Sequence, residues 1–143
     1  MSWNLVKLKS VAKVKNGYAF KSKDYLNEGI RIIRITNVQK GQIVDNNPQF
    51  IDFSRLSEFK SFQVFADDIL ISMTGNVGRV GMLKKEHELA LLNQRVGAIN
   101  VISEKISPKY LYQLLNSIEF EKDAIRNSNG VAQLNLSSKW VEE

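Results

Sequence analysis

One stretch, Asp67 to Gly81 (D-D-I-L-I-S-M-T-G-N-V-G-R-V-G), constrains the fold more than any other part of the chain. Ile69, Ile71 and Met73 alternate with Asp68, Leu70, Ser72 and Thr74, the period of a strand with one apolar and one mixed face. The strand runs into a corner where Gly75, Gly78 and Gly81 fall three apart and separate residues that include Asn76 and Arg79. Asparagine can hydrogen-bond a base or a phosphate and arginine pairs with phosphate, so the corner is able to present polar groups to a ligand. The same glycines also suit a tight turn, a bulge or a close backbone approach. A P-loop is excluded, because Arg79 and Val80 follow Gly78 where a lysine and then Ser or Thr are required. An echo of the corner, L-N-Q-R-V-G, stands at Leu92 to Gly97.

A chain of 143 residues that is 43% hydrophobic can bury one core without staples, which predicts one domain. It has no cysteine, which removes disulfides, thiolate metal sites and cysteine nucleophiles and agrees with a cytoplasmic location. The N-terminus has no apolar signal-peptide core, and no run reaches the ~18 apolar residues of a membrane helix. Twenty Lys and Arg against fifteen Asp and Glu give +5 and a pI near 9.5, a balance that favours a polyanionic partner.

Leu5, Leu8, Val11 and Ala12 recur at helical spacing and the run stops at Asn16-Gly17, predicting a short N-terminal helix. G-Y-A-F-K-S-K-D-Y then interleaves aromatics with Lys21 and Lys23, a composition that serves either base stacking beside phosphate contacts or a set of core aromatics next to solvated lysines. Ile30 to Val38 reads as a central strand that places Arg31 and Arg34 on opposite faces. An arginine in such a strand must reach solvent, a carboxylate or a phosphate, which makes Arg34, with Asn37 nearby, the first candidate for a ligand contact. Q-K-G-Q is a turn, Ile43-Val44 starts a return strand, and Phe50 to Phe65 is irregular with one helical turn.

Val80 to Leu83 resumes a strand, and K-K-E-H-E forms a charged hairpin tip that holds the only histidine, His87, in a solvated loop. Leu89 to Ile102 reads as one or two strands interrupted by Asn93, Gln94 and Arg95, a polar triplet that is costly unless satisfied. Ser107-Pro108 starts a helix carrying Leu111, Leu114, Leu115, Ile118 and Ile125 on one face and ending before Asn127 to Gly130. V-A-Q-L-N-L-S-S-K-W then reads as a short strand and a fresh N-cap at Ser137 or Ser138. These elements predict an α/β (α+β) fold in a single domain: a mixed, curved sheet with the short N-terminal helix and the longer C-terminal-half helix packed against it.

Catalytic constellations are scarce. A Ser-His-Asp or Cys-His arrangement has only His87 to build on. A metal-dependent nuclease has Glu58-Phe59-Lys60 with Asp45 or Asp52 upstream, although neither aspartate lies in a convincing strand. A methyltransferase is disfavoured, because the only prolines are Pro48 and Pro108 and no glycine-rich turn follows an N-terminal strand.

In order, G-Y-A-F-K-S-K-D-Y, I-R-I-I-R-I-T-N-V, D-D-I-L-I-S-M-T-G-N-V-G-R-V, L-N-Q-R-V-G and G-V-A-Q-L-N-L-S resemble the target recognition domain of the specificity subunit of type I restriction–modification systems, from Trp3 to Trp140. The resemblance implies a non-catalytic domain, without cofactor or metal, that reads one half of a split target in double-stranded DNA. It implies as partners a methyltransferase (M) subunit carrying the adenine-methylating chemistry, a restriction (R) subunit joining through it, and a second recognition domain or half-subunit. Residues 1–140 would be the recognition domain. In the family a spacer helix opening with I-P-L-P-P follows, whereas this sequence stops at Val141-Glu142-Glu143, as a truncated chain, a silent cassette or a piece of a longer gene would.

The candidate DNA-binding residues are Lys21, Lys23, Arg34, Asn37, Thr74, Asn76, Arg79, Asn93, Gln94 and Arg95. Members of the family that read different sequences share the glycine corner and L-N-Q-R-V-G, so these motifs suit the fold or the phosphate backbone, and base readout is expected from Gln39 to Arg55 and the hairpin tip. Arg34 and Arg95 contact phosphate on this reading, or else pair internally with Asp67, Asp68 or another carboxylate. A protein-interaction module indifferent to DNA is the competing non-enzymatic reading.

Overall fold

The computed structural model describes residues 12–102 and 106–126. In chain order the strands are β1 (Ala12–Asn16), β2 (Ile30–Ile33), β3 (Val38–Gln39), β4 (Gln42–Ile43), β5 (Gln49–Ile51), β6 (Gln63–Val64), β7 (Ile69–Ser72), β8 (Val80–Met82), β9 (Ala90–Leu92) and β10 (Val96–Val101), followed by helices α1 (Pro108–Leu115) and α2 (Ile118–Arg126). They build two four-stranded sheets rather than the single sheet expected, ordered β1-β10-β7-β8 and β5-β2-β9-β6, with β3 and β4 as a separate pair. The first sheet is antiparallel throughout. The second is mixed, because β2 and β9 run parallel.

Side-chain alternation stacks these layers. From β7, Ile69 and Ile71 pack with Ile99, Leu111, Leu115 and Ala124 under the helices, while Leu70 faces the other way, onto Ile33, Val64, Leu92 and Val96 between the sheets. In β2, Ile33 joins that inner layer while Ile30 and Ile32 pack with Leu91, Ile51 and Phe59 on the far face. Strands covered on both faces need apolar residues at successive positions, which is why I-R-I-I and I-L-I-S carry so few polar groups. Each fully buried Ile or Leu contributes ~1.5–3 kcal/mol relative to exposure.

Three expectations are corrected. Residues 12–16 form β1, not the end of a helix, with Ala12 buried and Ala12 to Asn16 paired to Val101 to Gly97; the remainder of the expected helix lies outside the described residues. The strand beginning at Ile30 ends at Ile33, and Ile35 to Asn37 form a turn of 3-10 helix. The helix starting at Pro108 breaks at Asn116 and Ser117, where the Ser117 hydroxyl accepts the Phe120 N–H and opens α2. Leu111 and Leu115 are buried, whereas Leu114 and Ile125 of the expected apolar stripe are exposed. The strand and N-cap expected after Gly130 fall outside the described residues. No described helix is long and apolar enough to cross a membrane.

Candidate nucleic-acid interface

Strand register gathers the candidate residues at one end of both sheets. Parallel pairing places Ile33 opposite Leu92, so β2 and β9 finish together; β7 ends at Ser72 opposite Val96, where β10 begins; and β1 ends at Asn16 opposite Gly97. The segments leaving these ends are stitched by backbone bonds: Asn93 N to Ile33 O, Tyr18 N to Leu92 O, Gln94 N to Tyr18 O and Met73 N to Arg95 O, all 2.8–3.1 Å. Arg34 to Asn37, Met73 to Arg79 and Asn93 to Arg95 are therefore neighbours although distant in sequence. Between the Ile35 to Gln39 stretch and the Met73 to Arg79 corner lies an open cleft of ≈ 220 Å³ lined by Thr36, Gln39, Asn46, Thr74, Asn76 and Arg79, among others.

The corner is built by Ser72 and by glycine. Ser72 Oγ donates to the Asn76 carbonyl and accepts from Arg79 N at 3.0 Å, and Ser72 O accepts from Gly78 N at 2.9 Å. Gly75 and Gly78 have φ of 72° and 80°, and a Cβ on Gly78 would lie 2.6 Å from the Ala124 methyl. The glycines thus serve the turn and its packing on α2. They leave Asn76 exposed and Arg79 half-buried at the cleft. Arg79 Nη1 donates to Gln39 Oε1 at 2.8 Å, and its Nε lies 3.9 Å from Glu121, which also pairs with Lys40 at 2.9 Å.

Several candidates are occupied internally. Asn37 is buried, its Oδ1 accepting Arg34 N and its Nδ2 reaching Val44 O and Asn46 O. Thr74 is buried and has a partner of its own. Asn93 is half-buried, with Phe20 N 3.4 Å from its Oδ1. Arg34 donates Nη2 to the Asn47 carbonyl while its Nε is buried without a partner, and it pairs with neither Asp67 nor Asp68. Gln94 and Arg95 are exposed, Arg95 at φ 72° and in no ion pair among the described residues. Lys21 and Lys23 are exposed beside Tyr18, Phe20, Phe59 and Phe62, whose rings pack 4.8–5.4 Å apart with Tyr18 still 41% accessible. Most of this aromatic set is therefore the outer core of the second sheet.

His87 corrects a sequence expectation. It is 6% exposed, not solvated, and its Nδ1 accepts the Lys84 N–H at 3.0 Å. Burial, and after it the Arg31 charge, hold its pKa below the ordinary value. The carboxylates considered for a metal are used otherwise: Glu58 and Arg55 pair, Asp52 caps the turn at Ser54, and Asp45 binds Arg31. No group of three or more His, Asp or Glu among the described residues is placed to hold a metal ion. Burial raises the pKa of Asp68, just before β7 begins at the other end of the first sheet, and lowers that of Lys15, whose Nζ donates to the Gln63 carbonyl at 2.8 Å.

Lys40, Asn46 and Asn47 border the same end without having been singled out by type. They fall within the stretch Gln39 to Arg55 expected to read bases, and the turn Q-K-G-Q and the run D-N-N-P are the only local signals that mark them, since loop residues carry no period.

A family model for the type I restriction modification DNA specificity domain matches residues 1–143. The chain is 32% identical over 125 residues to the type I restriction enzyme MjaVIII specificity subunit of Methanocaldococcus jannaschii, covering 85% of this chain and 29% of that protein. It is 31% identical over 144 residues to the EcoBI specificity subunit of Escherichia coli, covering 99% of this chain and 28% of that one. In structure it is similar to the S subunit of a type I restriction–modification system from M. genitalium, with TM-score 0.68 at 15% identity over 96% of this chain and 32% of that one, a likeness of fold. The chain thus spans less than a third of the relatives it matches.

Proposed function

This chain belongs to the family of type I restriction modification DNA specificity domains, and from that premise we propose that it reads one half of a bipartite site in double-stranded DNA with the polar end of its two sheets. The observation that carries this reading is the convergence of Arg34, Asn76, Arg79, Gln94 and Arg95 on one end of the sheets through strand register and backbone bonds. The exposed Arg95, Lys21 and Lys23, and Arg79 at the cleft with Lys40 sharing its Glu121 partner, supply cations for phosphates. Asn37 and Asn93 act from behind, holding the backbone that presents the others. The domain itself performs no chemistry, and a methyltransferase subunit, with a restriction subunit joining through it, acts where this domain and a second recognition domain or half-subunit are seated. Residues 1–140 are the recognition domain on this reading, and the following residues begin a spacer.

Binding of the chain to a labelled duplex between 50 and 200 mM salt tests the reading. The logarithm of affinity is expected to fall with the logarithm of salt by ~0.9 per phosphate neutralised. Arg79→Ala and Arg95→Ala should each weaken binding to every sequence about equally and flatten the slope by roughly one unit. Salt-independent binding, or none, would overturn the proposal in favour of a protein-interaction module. Incubation with magnesium and adenosylmethionine should give neither cleavage nor methylation.

A further inference from the structure

One loop at this end, Val44 to Pro48, is held more firmly than phosphate pairing requires. Arg31 donates from Nε and Nη2 to both carboxylate oxygens of Asp45, at 3.1 and 2.9 Å, and its guanidinium stands 5.5 Å from the Phe50 ring centre. Arg34 donates to Asn47 O, and Asn37 donates to Val44 O and Asn46 O at 3.0 and 3.3 Å. Asn47 sits at φ 50°, in the left-handed region that asparagine occupies more readily than most residues. All these bonds end on loop backbone or on Asp45. The side chains of Asn46 and Asn47 are exposed and make no hydrogen bond among the described residues, and Asn46 lines the cleft opposite Asn76 and Arg79.

A carboxamide donates and accepts at once, and in the major groove that pattern matches the N6 amino group and N7 of adenine. Discrimination requires the carboxamide to be held in place, since a mobile loop loses the bidentate geometry. Asp45, which would otherwise repel phosphate, is neutralised by Arg31. We propose that Asn46 and Asn47 are adenine-reading residues, and that Arg31, Arg34 and Asn37 are the positioning residues that fix their register. The proposal rests on the DNA-binding reading above and assigns to it a base and the residues that read it.

Selection from a random duplex library by the 143-residue chain at low salt, repeated with variants, tests it. The wild type is expected to enrich a motif with adenine at one or more positions. Asn46→Ala, or Asn47→Gly, which tolerates the left-handed backbone, should lose the preference at one such position. Affinity for the wild-type motif should then drop roughly 5- to 100-fold, with affinity for unrelated duplex and melting temperature unchanged. Asn46→Asp should move the preference from adenine to cytosine, whose N4 donates to a carboxylate; a purely structural role for Asn46 would not produce that change. Folded variants that enrich the same adenines as the wild type, or a wild type that binds without an adenine preference, would overturn the proposal and leave DNA binding standing. A chain that retains no duplex would overturn both.

Discussion

Across the cleft from each other, two segments keep their shapes by different means. The corner after β7 is held by backbone bonds, one serine hydroxyl and glycines, so its exposed Asn76 can change without moving the chain. The loop from Val44 to Pro48 is held by Arg31, Arg34 and Asn37, so its shape depends on side chains lying in another part of the sequence. Backbone scaffolding preserves a geometry through sequence change, whereas side-chain clamping ties a geometry to a particular set of residues. On the proposed reading, that division keeps phosphate contacts fixed while base contacts vary.

The backbone bonds that stitch this end of the sheets should likewise fail only through a backbone clash, and among the described glycines Gly17→Ala provides the closest one. A Cβ on Gly17 would lie 1.9 Å from the Asn93 carbonyl oxygen, forcing apart the bonds from Tyr18 to Leu92 and Gln94. A loss of ~3 kcal/mol or more is expected from urea unfolding, since neither partner is a flexible side chain. A loss under about 1 kcal/mol would show that this stitching is looser than the bonds suggest.

On the clamped side, Asn37→Leu removes three hydrogen bonds at a buried position. The expected cost is ~2 kcal/mol, read as a lower urea midpoint at unchanged slope. The same variant should blur the selected DNA motif, a result that no variant in the corner's exposed residues should reproduce. A sharp motif from a destabilised Asn37→Leu would break the comparison.

Much of this arrangement could be anticipated from sequence, and the failures have physical causes. The alternation in Ile69 to Ser72 and the turn chemistry of the glycine corner were legible because they are local. The end of the expected N-terminal helix is a strand: Leu5, Leu8, Val11 and Ala12 share a helical spacing, but Ala12 and Val14 beside lysines also fit a strand, and pairing with β10 decides for residues 12–16. Two sheets read as one in the sequence because β9 and β10 are separated only by the Asn93–Arg95 turn, and a positive φ at an arginine leaves no mark in the sequence. The clamp on Asp45 to Asn47 was hidden because Arg31 and Arg34 declare a need for partners without naming them. His87 was hidden in the same way by its charged neighbours.

His87 gives the smallest test, on a third loop held by a side chain. Its pKa in the folded chain lies below the ordinary 6.5, so between those values the unfolded chain binds a proton that the folded one does not. Stability is therefore complete above pH 6.5 and declines as pH falls through that value toward the folded pKa. His87→Asn retains an acceptor for the Lys84 N–H and should flatten that decline; an unchanged profile would assign the pH dependence to other groups.

The pairing of β1 with β10 has a consequence for how the domain comes into being. It joins Ala12 to Val101 and Asn16 to Gly97, the widest separations in either sheet, and the same approach seats Tyr18 against Leu92 and Gln94. Such distant contacts form only after a large loop has closed, an entropic cost that slows folding. During synthesis the first strand therefore waits, unpaired in this sheet, until the ribosome has released β10. The cleft end is completed late, and a nascent chain interrupted before residue 97 lacks the partner strand on which that end depends.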